Sequence, residues 1–314
     1  GSSVSGGGFL ELIMLLTEVG WSVAPVPVYA TLLLGADTLA RHGGSELQQQ
    51  HLPGVVEGSR ILTAALPEPG RSDPAEPATT ARRDGVTWRL DGTKELVPAA
   101  QLADAIIVAA SAPDGPGLFL VEKDAAGLEV RPVQATNGEP YADVVLTDAV
   151  IPAGNRLDEG LDGGNPVDLL QTRALIGLSA MQAGVTERAL RIAASYTSER
   201  EQFGRPIGSF QAVQQRMADA FIDVEVIRWT TWHAAWLLAV GRDADREAAI
   251  AKFWASEAGA RVTATAQQVH GGIGIDVTYP LSRYFLWAKQ IELNLGSAPQ
   301  QLARLGSTYP EGNQ

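Results

Sequence analysis

The chain has 314 residues, enough to bury a sizeable core in two or three domains. Its 24 Lys and Arg face 36 Asp and Glu, a net charge of −12 that argues against nucleic acid, whose phosphates need a basic face. No cysteine is present, and the four histidines lack ligand spacing, so disulfides, thiol chemistry and a metal centre are not expected.

Taken in chain order, Gly1-Ser2 reads as a cloning remnant outside the fold. Phe9 to Leu16 is the nearest thing to a membrane segment. It is far shorter than the roughly 18 apolar residues a span needs, and it carries Glu11. No charged region precedes it as in a secretory signal, which leaves the cytoplasm as the default location. Residues 9 to about 58 read as helical. Phe9, Ile13, Leu16 and Val19 recur at helical spacing, and Val28 to Leu39 is a second apolar run. Gly43-Gly44 breaks the pattern, Ser45 is placed to cap the next helix, and Pro53-Gly54 is expected to close it.

From Arg60 the period changes. Ile61 to Leu66, Val86 to Leu96, Ala103 to Ala110, Gly117 to Glu122, Leu128 to Val133 and Asp143 to Ile151 are short β-rich segments. Turn residues such as Asp84-Gly85, Asp91-Gly92 and Pro113-Asp114-Gly115-Pro116 separate them, and together they predict a small barrel or sandwich. Pro67 to Pro77 is a Pro-rich surface loop, and Asn155 to Pro166 a polar linker. Long amphipathic helices follow over about 167–198, 209–240, 245–270 and 281–305, the last in one or two pieces. Antiparallel helices of this length make a bundle. In the second, Phe210, Val213, Met217, Phe221 and Val224 form the expected core stripe, with Arg216, Asp219 and Asp223 off it. Trp229, Trp232 and Trp236 recur at helical spacing and read as core or interface filling rather than substrate stacking. The order helical, β, helical gives an α+β chain in three blocks, 1–59, 60–158 and 159–314.

Two stretches of the last block carry the functional signal. Arg200-Glu201-Gln202-Phe203-Gly204-Arg205-Pro206 and the following Ile207 to Gln211 break one helix and start the next. A loop at a helix N-terminus with arginine and amide side chains is a seat for a diphosphate, although the same pattern also fits a solvated turn. The second stretch, Gln268-Val269-His270-Gly271-Gly272-Ile273-Gly274-Ile275-Asp276, is followed by Tyr279-Pro280-Leu281-Ser282-Arg283-Tyr284. Together these resemble the C-terminal domain of the acyl-CoA dehydrogenases, flavin enzymes that desaturate acyl-CoA thioesters. The resemblance implies an N-terminal helical domain, of which only the second half is in this sequence, a middle β-barrel or sandwich, and a C-terminal four-helix bundle.

It also implies FAD, a glutamate that takes the α-proton, and an electron-transfer flavoprotein as acceptor. In the family, the residues matching Arg200, Gln202, Phe203, Gln211, Gln268, Gly271 and Gly272 hold the pyrophosphate and adenosine of a neighbouring subunit's FAD. Arginine supplies charge, the amides donate hydrogen bonds, and the glycine pair allows close backbone approach. His270, beside them, reads either as a ligand group or as a packed histidine.

The catalytic positions are different. The family's usual base aligns with Leu295, within Leu293-Asn294-Leu295-Gly296-Ser297, and a minority position on the first bundle helix aligns with Thr172, before Arg173. Neither accepts a proton. Glu292, one turn before Leu295, is a substitute on a shared helical face or simply an exposed helix charge. Trp287 stands where most members carry an acidic residue. The flavin-ring loop keeps Glu68-Pro69-Gly70 and Ser72-Asp73, but Pro67 replaces a threonine, removing a hydroxyl and an N–H. The second ring segment, Glu95-Leu96-Val97-Pro98-Ala99, has lost its hydroxyl as well.

A chain without a base that keeps the half-site for a neighbour resembles the base-less subunit of the heteromeric α₂β₂ acyl-CoA dehydrogenases of actinobacterial steroid side-chain breakdown. Leu16-Thr17-Glu18-Val19-Gly20, Leu62 to Leu66 and Ile275 to Pro280 carry that narrower likeness. The implied partner is a homologous subunit with the catalytic glutamate, and the implied substrate a bulky, steroid-derived acyl-CoA. A self-sufficient homotetramer with an unusual base and a flavin-free structural relative stay open as alternatives.

Overall fold

A computed structural model describes residues 8–71, 73–157 and 165–307. Gly1-Ser2, Ser72 of the ring loop and positions 158–164 of the linker lie outside them. The chain divides into two compact units, Pro25–Ala174 and a second made of Gly1–Ala24 with Leu175–Gln314.

The first unit is built on one seven-stranded sheet: β1 (Leu62–Ala65), β2 (Thr80–Asp84), β3 (Thr87–Pro98), β4 (Ala105–Ala112), β5 (Gly115–Glu122), β6 (Leu128–Gln134) and β7 (Pro140–Pro152). The order is β1-β4-β2-β3-β7-β6, with β5 also paired to β4, so the expected barrel takes the form of an open half-barrel. Trp88, Leu90 and Val97 of β3 point inward against Ile106, Val108, Phe119 and Val144, while β1, β4 and β5 are buried on both faces over most of their length. Six of these strands follow the sequence reading. β2 does not, because only Ala81 of Thr80-Ala81-Arg82-Arg83-Asp84 is buried and the rest is polar and exposed.

Before the sheet, Tyr29–Asp37 is a π-helix rather than the expected α-helix, followed by α2 (Thr38–His42) and α3 (Ser45–Val56), while α1 (Phe9–Ser22) precedes it. Two expectations fail here. Ser45 makes no capping hydrogen bond, and Pro53 sits inside α3 instead of closing it; near the C-terminal end, the loss of one N–H bond is tolerated.

The second unit is a helical bundle of α4 (Pro166–Glu199, its first turns counted with the sheet), α5 (Gln211–Ala239), α6 (Asp245–His270), α7 (Leu281–Leu293) and α8 (Ala298–Ser307). α1 crosses α4 almost backbone to backbone. A Cβ at Gly20 would lie 2.0 Å from the Met181 carbonyl oxygen, and one at Gly184 would lie 2.0 Å from that of Thr17. Only glycine permits that approach. The end of α1 is tied down by Tyr284, whose hydroxyl donates to the Trp21 carbonyl at 3.0 Å, and by Arg283, which donates to Val23 at 2.8 Å.

α5 also departs from expectation. Val224 is buried and Phe210, Val213 and Met217 are half-buried, but Phe221 points into solvent, as do Trp229 and Trp236. No described helix is long and apolar enough to cross a membrane.

Candidate functional site

The two C-terminal motifs meet at one end of the bundle. After α4, residues 201–206 fold back as a two-stranded hairpin, β8 (Glu201–Gln202) with β9 (Arg205–Pro206), and Ile207–Ser209 makes one 3₁₀ turn into α5. Phe203 and Gly204 form the hairpin tip with φ of 55° and 78°. The left-handed region is costly for a phenylalanine, yet Phe203 is 93% exposed. Arg200, Gln202 and Gln211 are exposed beside it. Gln202 Nε2 donates only to the neighbouring Glu201 carbonyl, at 2.8 Å.

The second motif closes α6. Gln268 is on its last turn, Gly271 ends it with φ 64°, and Gly271–Ile275 continues as a 3₁₀ segment. An added Cβ at Gly271 or Gly272 meets nothing within 4 Å, so here the glycines leave an open surface instead of relieving a clash.

What fastens the motifs together is His270. Its ring stacks on Tyr196 of α4 with centroids 4.2 Å apart and planes 20° from parallel. Nδ1 lies 2.7 Å from the Ala266 carbonyl, which can only accept, so Nδ1 carries the proton. Nε2 is then free to accept from the Tyr279 hydroxyl at 3.2 Å. Burial holds this imidazole below its ordinary pKa, so it stays neutral. His270 is therefore a packed histidine, and its partners Tyr196 and Tyr279, distant in sequence, are not visible to local pattern reading.

Between α5 and α6, next to Gln268, runs a groove of about 850 Å³. Gln215, Arg216 and Asp219 line one side; Arg261 and Thr265 line the other. Arg261 donates to both carboxylate oxygens of Asp223 at 2.7 and 3.0 Å and to Glu257 at 3.0 Å. The seven proposed cofactor residues thus edge one open, polar end of the bundle.

The segments that by sequence resemble the flavin-ring loop belong to the sheet unit, where several of their polar groups are engaged internally. Glu68 is buried. Its carboxylate accepts from the Ala78 and Thr79 amides at 2.5 and 2.8 Å and from Lys94 Nζ at 2.7 Å. Burial works to raise the Glu68 pKa, but the bonds from Lys94 and Thr79 prevail and hold it below the ordinary carboxylate value. Lys94 is wholly buried, and that burial lowers its pKa to about 8. In the second segment the Glu95 N–H donates to Pro67, that of Leu96 to the Asp143 carboxylate, and that of Ala99 to Pro140, at 3.0, 3.0 and 2.8 Å. Pro98 has no N–H to offer. The backbone donors of Glu95, Leu96 and Ala99 are therefore engaged inside the unit.

The two positions that the sequence resemblance would give to a base, Leu295 and Thr172, hold no carboxylate or imidazole. Leu295 is half-buried in a left-handed turn with φ 55°, and Thr172 is buried at 4% exposure on α4. Lys252, fully buried on α6, holds the Leu295 turn. Its Nζ donates to the carbonyls of Glu292 at 3.0 Å and Gly296 at 2.9 Å, and burial lowers its pKa to about 7. Gln301 of α8 donates to the Leu295 carbonyl at 2.9 Å. The Glu292 carboxylate pairs with Lys289 at 2.5 Å. Trp287 is buried in the bundle. Among the described residues no group of three or more metal-type ligands converges.

Comparison with known proteins gives these features a context. The family description "Acyl-CoA dehydrogenase, C-terminal domain" matches residues 169–307, and "Acyl-CoA dehydrogenase, middle domain" matches 63–149. Acyl-CoA dehydrogenase FadE27 of Mycobacterium tuberculosis is 41% identical over 98% of this chain and 83% of its own length. Among solved structures, the ChsE4-ChsE5 complex from Mycobacterium tuberculosis is 40% identical with a TM-score of 0.92, covering 98% of this chain and 82% of the other. A variant of the steroid ACAD Tcur3481-Tcur3483 is 45% identical with a TM-score of 0.90, covering 96% and 80%.

Proposed function

The chain belongs to the acyl-CoA dehydrogenase family, and from that premise we propose that it is the base-less subunit of a heteromeric FAD-dependent member. Its bundle completes the cofactor site of a homologous partner that carries the glutamate. Blocks 1–59, 60–158 and 159–314 are read as the family's three domains, the first partial.

The observation that carries this reading is the contrast within the chain. Arg200, Gln202, Phe203, Gln211, Gln268, Gly271 and Gly272 lie exposed at one end of the bundle, with a charge and amide set suited to a dinucleotide's diphosphate. In the segments that resemble the ring loop, the N–H groups of Arg71, Glu95, Leu96 and Ala99 are engaged within the sheet unit, and the positions that align with the family's base are Leu295 and Thr172. FAD, when bound, supplies the hydride acceptor for desaturation. In the proposed role, Arg200 neutralises diphosphate charge, Gln202, Gln211 and Gln268 donate to it, and Phe203 offers an apolar face to the adenosine end. The α-proton goes to the partner's glutamate.

The substrate is proposed to be a bulky, steroid-derived acyl-CoA, desaturated to the α,β-enoyl thioester, with electrons leaving to an electron-transfer flavoprotein. Two neighbours support this: one is a steroid ACAD, and the other is a complex of two named components. In the assembled complex, Glu292→Gln in this chain is expected to leave turnover unchanged. Loss of turnover with intact assembly would return the base to this chain.

A further inference from the structure

Of the asparagines in this sequence, only Asn137 is followed by glycine. Asn137-Gly138 lies in the loop 135–139 that joins β6 to β7, with Gln134 facing Pro140 across it. Asn-Gly is a common tight-turn dipeptide, so the pair alone says only that the chain reverses. The groups around the Asn137 amide say more.

One residue holds that amide at both ends. The Glu139 N–H donates to Asn137 Oδ1 at 3.1 Å, and Asn137 Nδ2 donates to Glu139 Oε2 at 2.6 Å. The carbon between them is polarised through its oxygen and has a carboxyl group against its nitrogen. Both side chains are half-buried, and burial lifts the Glu139 carboxyl to about 7, so much of it is protonated near neutrality. Gly138 takes φ 78°, and a Cβ there would meet nothing within 4 Å. With no side chain in the way, its nitrogen can close on the Asn137 side-chain carbon.

We propose that this turn is a self-modification site, at which Asn137 cyclises onto Gly138 and loses ammonia with Glu139 acting as the acid. The Gly138 nitrogen attacks Asn137 Cγ. Its proton, now donated to the Ala135 carbonyl at 3.1 Å, leaves to hydroxide from solvent. The new N–C bond makes Cγ tetrahedral, and charge develops on Oδ1, where the Glu139 N–H already points. In the planar amide Nδ2 can only donate. On the tetrahedral carbon it is an amine and takes the carboxyl proton of Glu139, which lies within reach for that transfer. The Cγ–Nδ2 bond breaks, ammonia departs, and a succinimide remains. Water then opens the ring at either carbonyl, to aspartate or isoaspartate, and solvent reprotonates Glu139. The balance is one water in and one ammonia out, with nothing oxidised.

The product sets a second carboxylate where Glu139 had a donor, and the like charges repel. β7 starts at the next residue. The Pro140 carbonyl accepts from Ala99, and Tyr141 and Ala142 pair with Pro98 and Val97 of β3. One irreversible step in the turn therefore loosens the backbone that supports segment 95–99. The inference does not rest on the cofactor reading, because the chemistry belongs to this chain alone.

The test is mass-resolved peptide mapping of the purified full chain held at pH 6 for weeks, as wild type and as Glu139→Gln. The wild type should convert at Asn137 well ahead of Asn155, Asn165 and Asn294, with isoaspartate among the products. Glu139→Gln keeps the N–H and removes the acid, so the folded variant should convert about tenfold or more slowly. In urea, where the geometry is gone, the two chains should convert alike. Amide hydrogen exchange over 135–139 separates chemistry from stiffness, and it should match in the two folded chains. An unconverted Asn137 in the folded wild type, equal folded rates, a difference that persists in urea, or exchange that slows in step with conversion would each overturn the proposal.

Discussion

The bundle loop 200–211 and the sheet loop 67–79, which the sequence resemblance alone would give to cofactor binding, differ in physical character. In the bundle, side chains are presented: Phe203 sits in a left-handed conformation and is exposed, and Arg200, Gln202 and Gln211 reach solvent beside it. In the sheet, polar groups are engaged: Glu68 is pinned by Lys94 and two amides, and Glu95 and Leu96 give their N–H groups to Pro67 and Asp143, although Arg71 and the Leu96 side chain are exposed. The first arrangement leaves Arg200, Gln202, Phe203 and Gln211 open to solvent, although Phe203 also meets Phe210 edge-to-face with ring centroids 6.1 Å apart. The second stabilises the chain itself.

The largest effect expected from breaking this contrast is in the sheet. Lys94→Met leaves the Glu68 carboxylate buried without its cation and should cost about 3–5 kcal/mol of stability, read by urea unfolding. Adding Glu68→Gln should recover most of it, because the uncompensated charge is gone. Bundle stability should not change in either variant.

Arg200→Ala should do the reverse. A charge-assisted contact worth about 1.5–3 kcal/mol corresponds to FAD held roughly 10–150-fold more weakly by the assembled complex. Unfolding of the isolated chain should be unaffected, since Arg200 is exposed. A loss of stability instead would make the loop structural, like its counterpart in the sheet.

A smaller effect sharpens the account of the sheet unit. Burial raises the Glu139 carboxyl to about 7 from an ordinary 4.5. The fold therefore favours its protonated form: this stabilisation is complete below pH 4.5 and is lost as pH rises through about 7. Glu139→Gln should remove that slope and raise the melting temperature by a few degrees at pH 8, with little change at pH 4.5. Thermal melts across that range check it.

Much of this was legible in the sequence, for physical reasons. Helices α4 to α8 and strands β3, β6 and β7 show in their apolar periods, and β1, β4 and β5, buried on both faces, show as short continuous apolar runs. The residues at the end of the bundle show because glycine, arginine and amide side chains fall at short spacing.

The failures are equally specific. β2 buries only Ala81, which leaves no period to read. The π-helix Tyr29–Asp37 lies in an apolar run whose residues suit any buried helix. Phe221 reads as an inward residue because α5 is apolar on two sides, and the sequence does not say which side the bundle takes. The ties between Tyr196 and His270 and between Lys252 and Gly296 are tertiary, and nothing local marks them.

The most direct test of the central claim is the flavin content of the purified chain, alone and assembled with a homologous chain that keeps the glutamate. The account predicts essentially no FAD on the chain by itself and one FAD per pair of unlike subunits, lost on Arg200→Ala. One FAD per chain in the isolated protein, with dehydrogenase activity, would contradict it.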